Sequence, residues 1–177
     1  MNRESGSPGG VPGEPGGRGE KVVATALGSA FRLLARRSYT QAELRLRLER
    51  AWDQPAVTAA LARLTELRLI DDEAWAERFA RDRLERVGRG RRRILAELIA
   101  RGVDAELAAR VIGRVIDPER ERDRARTLVA NILGERSESD RPGAQRRPDQ
   151  RELAGAFRRL VARGFPSALV RDLLGGS

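Results

Sequence analysis

The tetrapeptide Ala100-Arg101-Gly102-Val103 returns as Ala162-Arg163-Gly164-Phe165, and both copies close a short apolar stretch with helical spacing. A glycine at such a place is expected in the left-handed conformation that ends a helix. A worn copy without its glycine, Arg50-Ala51-Trp52, stands in the first third of the chain. A joint that returns about every 45 to 60 residues defines a tandem array of small helical units. A unit of that size buries little alone, so neighbours are expected to share core.

Apolar periodicity fills in the units. Val23, Leu27, Ala30 and Leu34 recur at four, three and four, with Phe31 widening the stripe. Thr40 with Glu43, or Ser38 with Gln41, offers a capping box for a short helix carrying Leu44 and Leu48, and Asp53 can cap a third helix. The next set starts at Asp71 or Asp72, breaks at Gly88 and Gly102, and restarts at Asp104. The last set opens on Asp117-Pro118, an N-cap followed by proline in the first turn. Its first turns, PERERDR, are nearly all charged and are expected to project from the body.

The reading is therefore all-α: three tandem three-helix repeats in an elongated, curved array. The expected boundaries are a disordered tail over 1–20, repeat one over 21–70, repeat two over 71–116, and repeat three over 117–177. A mobile loop is expected at 134–149, where GERSESDRPGAQRRPD carries no apolar period.

Composition removes several function classes. The chain has no cysteine and no histidine. Disulfide frameworks, thiol nucleophiles and histidine acid–base chemistry go with them. No apolar run is long enough to cross a bilayer, and no secretory signal opens the chain, so a cytoplasmic protein without membrane attachment is expected. Asp71, Asp72 and Glu73 form an acidic cluster, but helix capping and dipole matching account for it, and no metal or cofactor is expected. With no glycine-rich phosphate loop after a strand, an enzyme is not expected.

Residues 78–93, RFARDRLERVGRGRRR, hold eight arginines against two acids, in a chain of net charge +9. An apolar stripe (Ala76, Phe79, Ala80, Leu84, Val87) runs through the first half, leaving the charge on the outer face of a packed helix. After Gly88, Arg89 to Arg93 are expected to crowd a new first turn beside unpaired N–H groups. Cations there oppose the helix dipole, so the arrangement reads as an anion-binding surface. Use of arginine throughout, 34 against a single lysine, is the plainer explanation. Trp75 and Phe79, four apart, read as core rather than as a base-stacking platform.

The segment ELRLIDDEAWAERFARDRL (66–84) followed by GRGRRRILAELIARGV (88–103) resembles the RecX family of bacterial recombination regulators. RSYTQAELRLRL (37–48), DPERERDRARTL (117–128) and FRRLVARGF (157–165) fit the order of its motifs. The resemblance spans about 21–174 and implies three three-helix repeats with a regulatory, non-catalytic role in DNA repair, recombination and the SOS response. It implies the RecA recombinase filament as partner, weak binding of single- or double-stranded DNA, and a monomer. The basic residues in matching motifs are the candidate filament- and nucleic-acid-binding set: Arg45, Arg47, Arg81, Arg83, Arg89, Arg91, Arg92 and Arg93. Replacing Arg91, Arg92 and Arg93 by glutamate is expected to abolish filament binding without changing melting. The family carries glycine where this chain has Arg68, so a different ending is expected for the preceding helix. The alternative reading is a stand-alone helix-turn-helix DNA-binding protein. It is disfavoured because the third helices, 54–67 and 105–115, hold mostly Ala, Leu, Val and Arg, which read bases poorly.

Overall fold

The computed structural model describes residues 16–140 and 147–175, and these hold nine α-helices and no strand. In chain order they are α1 (Gly16–Leu34), α2 (Gln41–Leu48), α3 (Gln54–Glu66), α4 (Asp72–Glu85), α5 (Arg91–Ala100), α6 (Ala105–Val115), α7 (Pro118–Asp140), α8 (Gln150–Ala162) and α9 (Ser167–Leu173). They fall into three sets of a long helix followed by two shorter ones. None is long and apolar enough to cross a membrane.

Two expectations at the edges are corrected. Residues 1–15 of the expected tail lie outside the described residues, but α1 already runs from Gly16. Of the loop expected over 134–149, residues 134–140 are helical instead, because α7 continues to Asp140. Residues 141–146 lie outside the described residues. Glycine and serine weaken a helix by only about 0.5–1 kcal/mol each, less than is needed to stop one already propagating.

Aspartates start five helices. Asp53, Asp71, Asp104 and Asp117 accept from backbone N–H groups two or three residues on, at 2.9–3.1 Å. Asp149 and Glu152 form a complete capping box at α8. Each cap contributes about 1 kcal/mol.

The described residues divide into two compact units. One takes the chain up to Arg37 and then Leu44–Leu69; the other takes Ser38–Glu43 and everything from Ile70. In the first unit α1 packs on α3. The buried line of α1 is Ala26 and Ala30, both at 0 % exposure, while Phe31 of the expected stripe stays largely outside. Small side chains at the contact let the two helices approach closely, which moves the packed face off the larger residues.

The second unit has two apolar clusters. One gathers Trp75, Ala76, Ala80 and Leu84 of α4 with Ile94, Leu98, Val103, Val111 and Ile112. The other gathers Ala125 and Ile132 of α7 with Ala156, Leu160, Phe165 and Val170. Burying one such large side chain contributes about 1.5–3 kcal/mol. Trp75 is buried and stacks on Phe79 at 5.0 Å between ring centres, with Arg83 and Arg101 lying over Phe79 at 4.6 and 5.1 Å.

The helix endings explain the repeated tetrapeptide. Gly102 and Gly164 are left-handed, at φ 80° and 94°. Val103 N–H donates to Leu98 O and Phe165 N–H to Leu160 O, so both helices end in the same six-to-one closure. Arg68 closes α3 the same way at φ 54°, with Leu69 N–H donating to Leu64 O at 2.9 Å. The expectation of a different ending there is wrong: an L-residue tolerates the left-handed well at a cost of about 1–2 kcal/mol.

Candidate functional site

The first turn of α5 is where the arginines were expected to crowd. The helix starts two residues later than expected, at Arg91, with Gly90 as N-cap, so Arg89 precedes it. Its leading N–H groups are already used. Gly90 N–H donates to Arg163 O at 2.9 Å, Arg92 N–H to Gly164 O at 3.0 Å, and Arg91 N–H to Glu121 Oε1 at 2.8 Å. The expected anion site on free N–H groups is therefore filled by the chain's own acceptors. Glu121, from the first turn of α7, is 2 % exposed, which corrects at this residue the expectation that the charged turn projects; Glu119, Arg120 and Asp123 are exposed.

A matching joint sits at the start of α2. Thr40 donates its hydroxyl to Arg101 O at 2.8 Å and accepts from Glu43 N–H at 3.1 Å. Gln41 N–H donates to Asp72 Oδ1 at 2.8 Å, and Arg101 Nη1 reaches Glu43 Oε1 at 2.9 Å. In both places a middle helix begins on the Arg-Gly turn of the following set, and an acid from the next long helix caps it. Asp72 has its carboxyl pushed above the usual range by burial, with Gln41 N–H pulling the other way and Asp71 and Glu43 adding to the rise. Close approach makes the glycines necessary: a Cβ on Gly164 would lie 2.3 Å from Arg93 Cβ, and one on Gly102 would lie 2.3 Å from Ala42 Cβ.

The eight candidate arginines have unequal freedom. Arg91 gives its Nε to Glu121 as well as its N–H. Arg83 Nε and Arg93 Nε converge on the two oxygens of Glu97, each at 3.0 Å, and Arg83 also meets Asp82 at 3.3 Å. Arg89 has a buried Nε without a hydrogen-bond partner. Arg81 is largely exposed, 3.4 Å from Glu77. Arg92 is exposed, and no ion pair holds its guanidinium among the described residues. In the first unit, Arg45 bonds Thr58 Oγ1 at 3.3 Å and lies 3.9 Å from Glu49, while Arg47 borders a cavity with Arg32 and Arg36.

The structure thus brings Arg81, Arg83, Arg91 and Arg93 to carboxylates of the chain itself, with Arg81 and Arg93 still more than half exposed, and leaves Arg92 outward. Sequence reasoning missed Glu97 and Glu121. Glu97 was findable as an i,i+4 partner of Arg93; nothing local marked Glu121. Arg32, Arg36 and Trp52 were also missed as a group, because nothing local in the sequence joins Trp52 to the two arginines. Among the described residues, no group of acids or imidazoles is arranged to hold a metal.

Comparison with known proteins adds the following. The family model described as RecX, first three-helix domain, matches residues 26–64, and that for the second three-helix domain matches 71–112. The chain is 38 % identical over 145 residues to the regulatory protein RecX of Mycobacterium sp. (strain JLS), covering 81 % of this chain and 76 % of that one. It is 38 % identical to the regulatory protein RecX of Chromohalobacter salexigens, over 85 % of this chain and 91 % of the relative. In fold it resembles the crystal structure of RecX from Lactobacillus salivarius, with a TM-score of 0.76, 16 % identity, and coverage of 88 % of this chain and 96 % of the other.

Proposed function

We propose a function from one premise: the chain belongs to the RecX family of regulatory proteins. It binds the filament that the RecA recombinase forms on single-stranded DNA, in the cytoplasm and as a monomer. There it restrains filament growth, strand exchange and ATP hydrolysis without catalysing a reaction itself. The observation that carries this reading is the identity to regulatory proteins along most of both chains.

The charge distribution supports it. A chain of net charge +9 with outward guanidinium groups at Arg81 and Arg92 suits a long anionic partner. Several weak contacts spread over helical repeats gain roughly 10²–10⁴ in avidity when they engage together. In this reading Arg45, Arg47, Arg81, Arg92 and Arg93 touch the filament. Arg83, Arg89 and Arg91 hold the surface in shape.

The test is an assay of ATP hydrolysis by RecA on single-stranded DNA. Added at micromolar concentration, the protein is expected to slow hydrolysis, and Arg81→Glu with Arg92→Glu to weaken that effect while melting stays unchanged. Full hydrolysis at saturating protein overturns the reading.

A further inference from the structure

We propose that the first unit carries a binding site for single-stranded nucleic acid, in the cavity between the last turns of α1 and α2. The cavity measures about 310 Å³; Arg32, Arg36 and Arg47 border it, Leu33 and Leu48 are in its wall, and Trp52 closes one side. No carboxylate lines it. None pairs with Arg32 or Arg36 among the described residues; Arg32 Nη2 meets only Ser29 Oγ, at 2.9 Å.

The chain contains its own comparison. The buried residues Ala26, Ala30, Leu44 and Leu48 of the first set correspond in spacing to the buried Ala76, Ala80, Ile94 and Leu98 of the second. That register places Arg32 at Asp82, Arg36 at Arg86, Arg47 at Glu97 and Ser29 at Phe79. In the second set these positions are closed and neutralised. Asp82 pairs with Arg86 at 3.5 Å, Glu97 pairs with Arg83 at 3.0 Å, and the Phe79 ring lies under Arg83. In the first set both acids have become arginines and the ring has become a serine. Ser29 lines the cavity at the position the ring holds in the second set, and among the described residues no carboxylate stands beside Arg32 or Arg36. Arg32, in the last turn of α1, and Arg36, just past its end, are like charges that repel one another. The helix ends soften that repulsion without supplying an anion.

The chemistry of the wall selects the occupant. It offers donors and a flat indole, and few free acceptors. Leu33 O already accepts from Arg36 and Arg37 N–H, and Leu48 O from Ala51 and Trp52 N–H. A peptide brings an N–H at each residue and finds few acceptors to receive it. A nucleic-acid strand brings phosphate acceptors for the guanidinium groups and a base face for Trp52. The site deepens the proposed function by naming nucleic acid at one place, and rests on it only for the biological setting.

The experiment uses the full chain without RecA. In a Trp75→Phe background the indole signal belongs to Trp52; should that variant fail to fold, wild type is compared with Trp52→Phe. An oligothymidylate of about 15 nucleotides, within the range one small site covers, is titrated in. Trp52 fluorescence is expected to fall. Arg32→Glu with Arg36→Glu is expected to weaken binding at least tenfold and to flatten the salt dependence by about 1.4 in log–log slope, 0.7 for each lost phosphate contact. Arg110→Glu, an exposed change in the other unit, is expected to do neither. An unchanged Trp52 signal, or equal weakening by Arg110→Glu, overturns the site. Equal affinity for polyglutamate overturns it in favour of an acidic polypeptide, and thymidine monophosphate binding as tightly as the oligomer overturns it in favour of a free nucleotide. Inhibition of RecA that survives loss of oligonucleotide binding leaves the proposed function standing alone.

Discussion

Arg91 gives both its backbone N–H and its guanidinium Nε to the carboxylate of Glu121, which is 2 % exposed. One acid thus caps α5 and neutralises its first arginine, fixing α5 to the start of α7. Removing the two partners is not equivalent. Arg91→Ala leaves a buried carboxylate with only the backbone donor, expected to cost about 3 kcal/mol or more. Glu121→Ala frees a partly exposed guanidinium to reach water and is expected to cost about 1.5–3 kcal/mol. Urea titration measures both; a larger loss for Glu121→Ala contradicts the assignment.

The triple replacement of Arg91, Arg92 and Arg93 by glutamate is now expected to lower stability as well as binding, because Arg91 is held by the buried Glu121. Placing a second carboxylate against Glu121 disrupts the joint. The triple variant is expected to melt at least 5 °C lower, because 1 kcal/mol moves the midpoint of a domain this size by about 2–4 °C. Arg92→Glu alone is expected to leave the midpoint within 1–2 °C. Differential scanning calorimetry decides.

Gly164 and Gly88 are both left-handed, at φ 94° and 65°, but only Gly164 has another segment against it. Gly88→Ala is expected to cost about 1 kcal/mol, the conformational strain alone. Gly164→Ala adds overlap with Arg93 N, 2.4 Å from the new carbon, and is expected to cost more than about 3 kcal/mol. Equal losses on denaturation count against the close joint.

Arg68 occupies the left-handed well at φ 54° with an exposed side chain. Arg68→Gly relieves strain of about 1–2 kcal/mol and loses some of it to the freer unfolded chain. The expected net is a gain of about 0.5–1 kcal/mol, read as a higher urea midpoint at unchanged slope. A fall in stability contradicts the backbone assignment.

Burial raises the Asp72 carboxyl pKa in the folded protein, against the pull of Gln41 N–H. A raised folded pKa means the folded state takes up a proton before the unfolded state does. Stability is therefore gained as pH falls through the folded value toward the ordinary carboxylate value. Asp72→Asn can keep the acceptor for Gln41 N–H and lacks the titration. Wild type is expected to gain on Asp72→Asn as pH is lowered from 7 toward 4 in paired thermal melts. The opposite trend contradicts burial as the dominant cause.

What the sequence determined by itself is local. Helices, their aspartate caps and the glycines that stop them follow from the backbone preferences of single residues. The tandem arrangement follows from a joint that recurs in the chain, and the same local signals reached the family through its motifs. Tertiary structure decided where each arginine's charge goes. Arg91, Arg92 and Arg93 are adjacent and chemically alike. One is held by Glu121 from the next long helix, one faces outward, and one shares Glu97 with Arg83. An ion pair depends on distance in space, and Glu121 is brought to Arg91 only when the turn at Gly164 docks on the start of α5. The cavity beside Trp52 is likewise tertiary, since it is lined by residues of α1 and α2 together with Trp52, which lie apart in the chain.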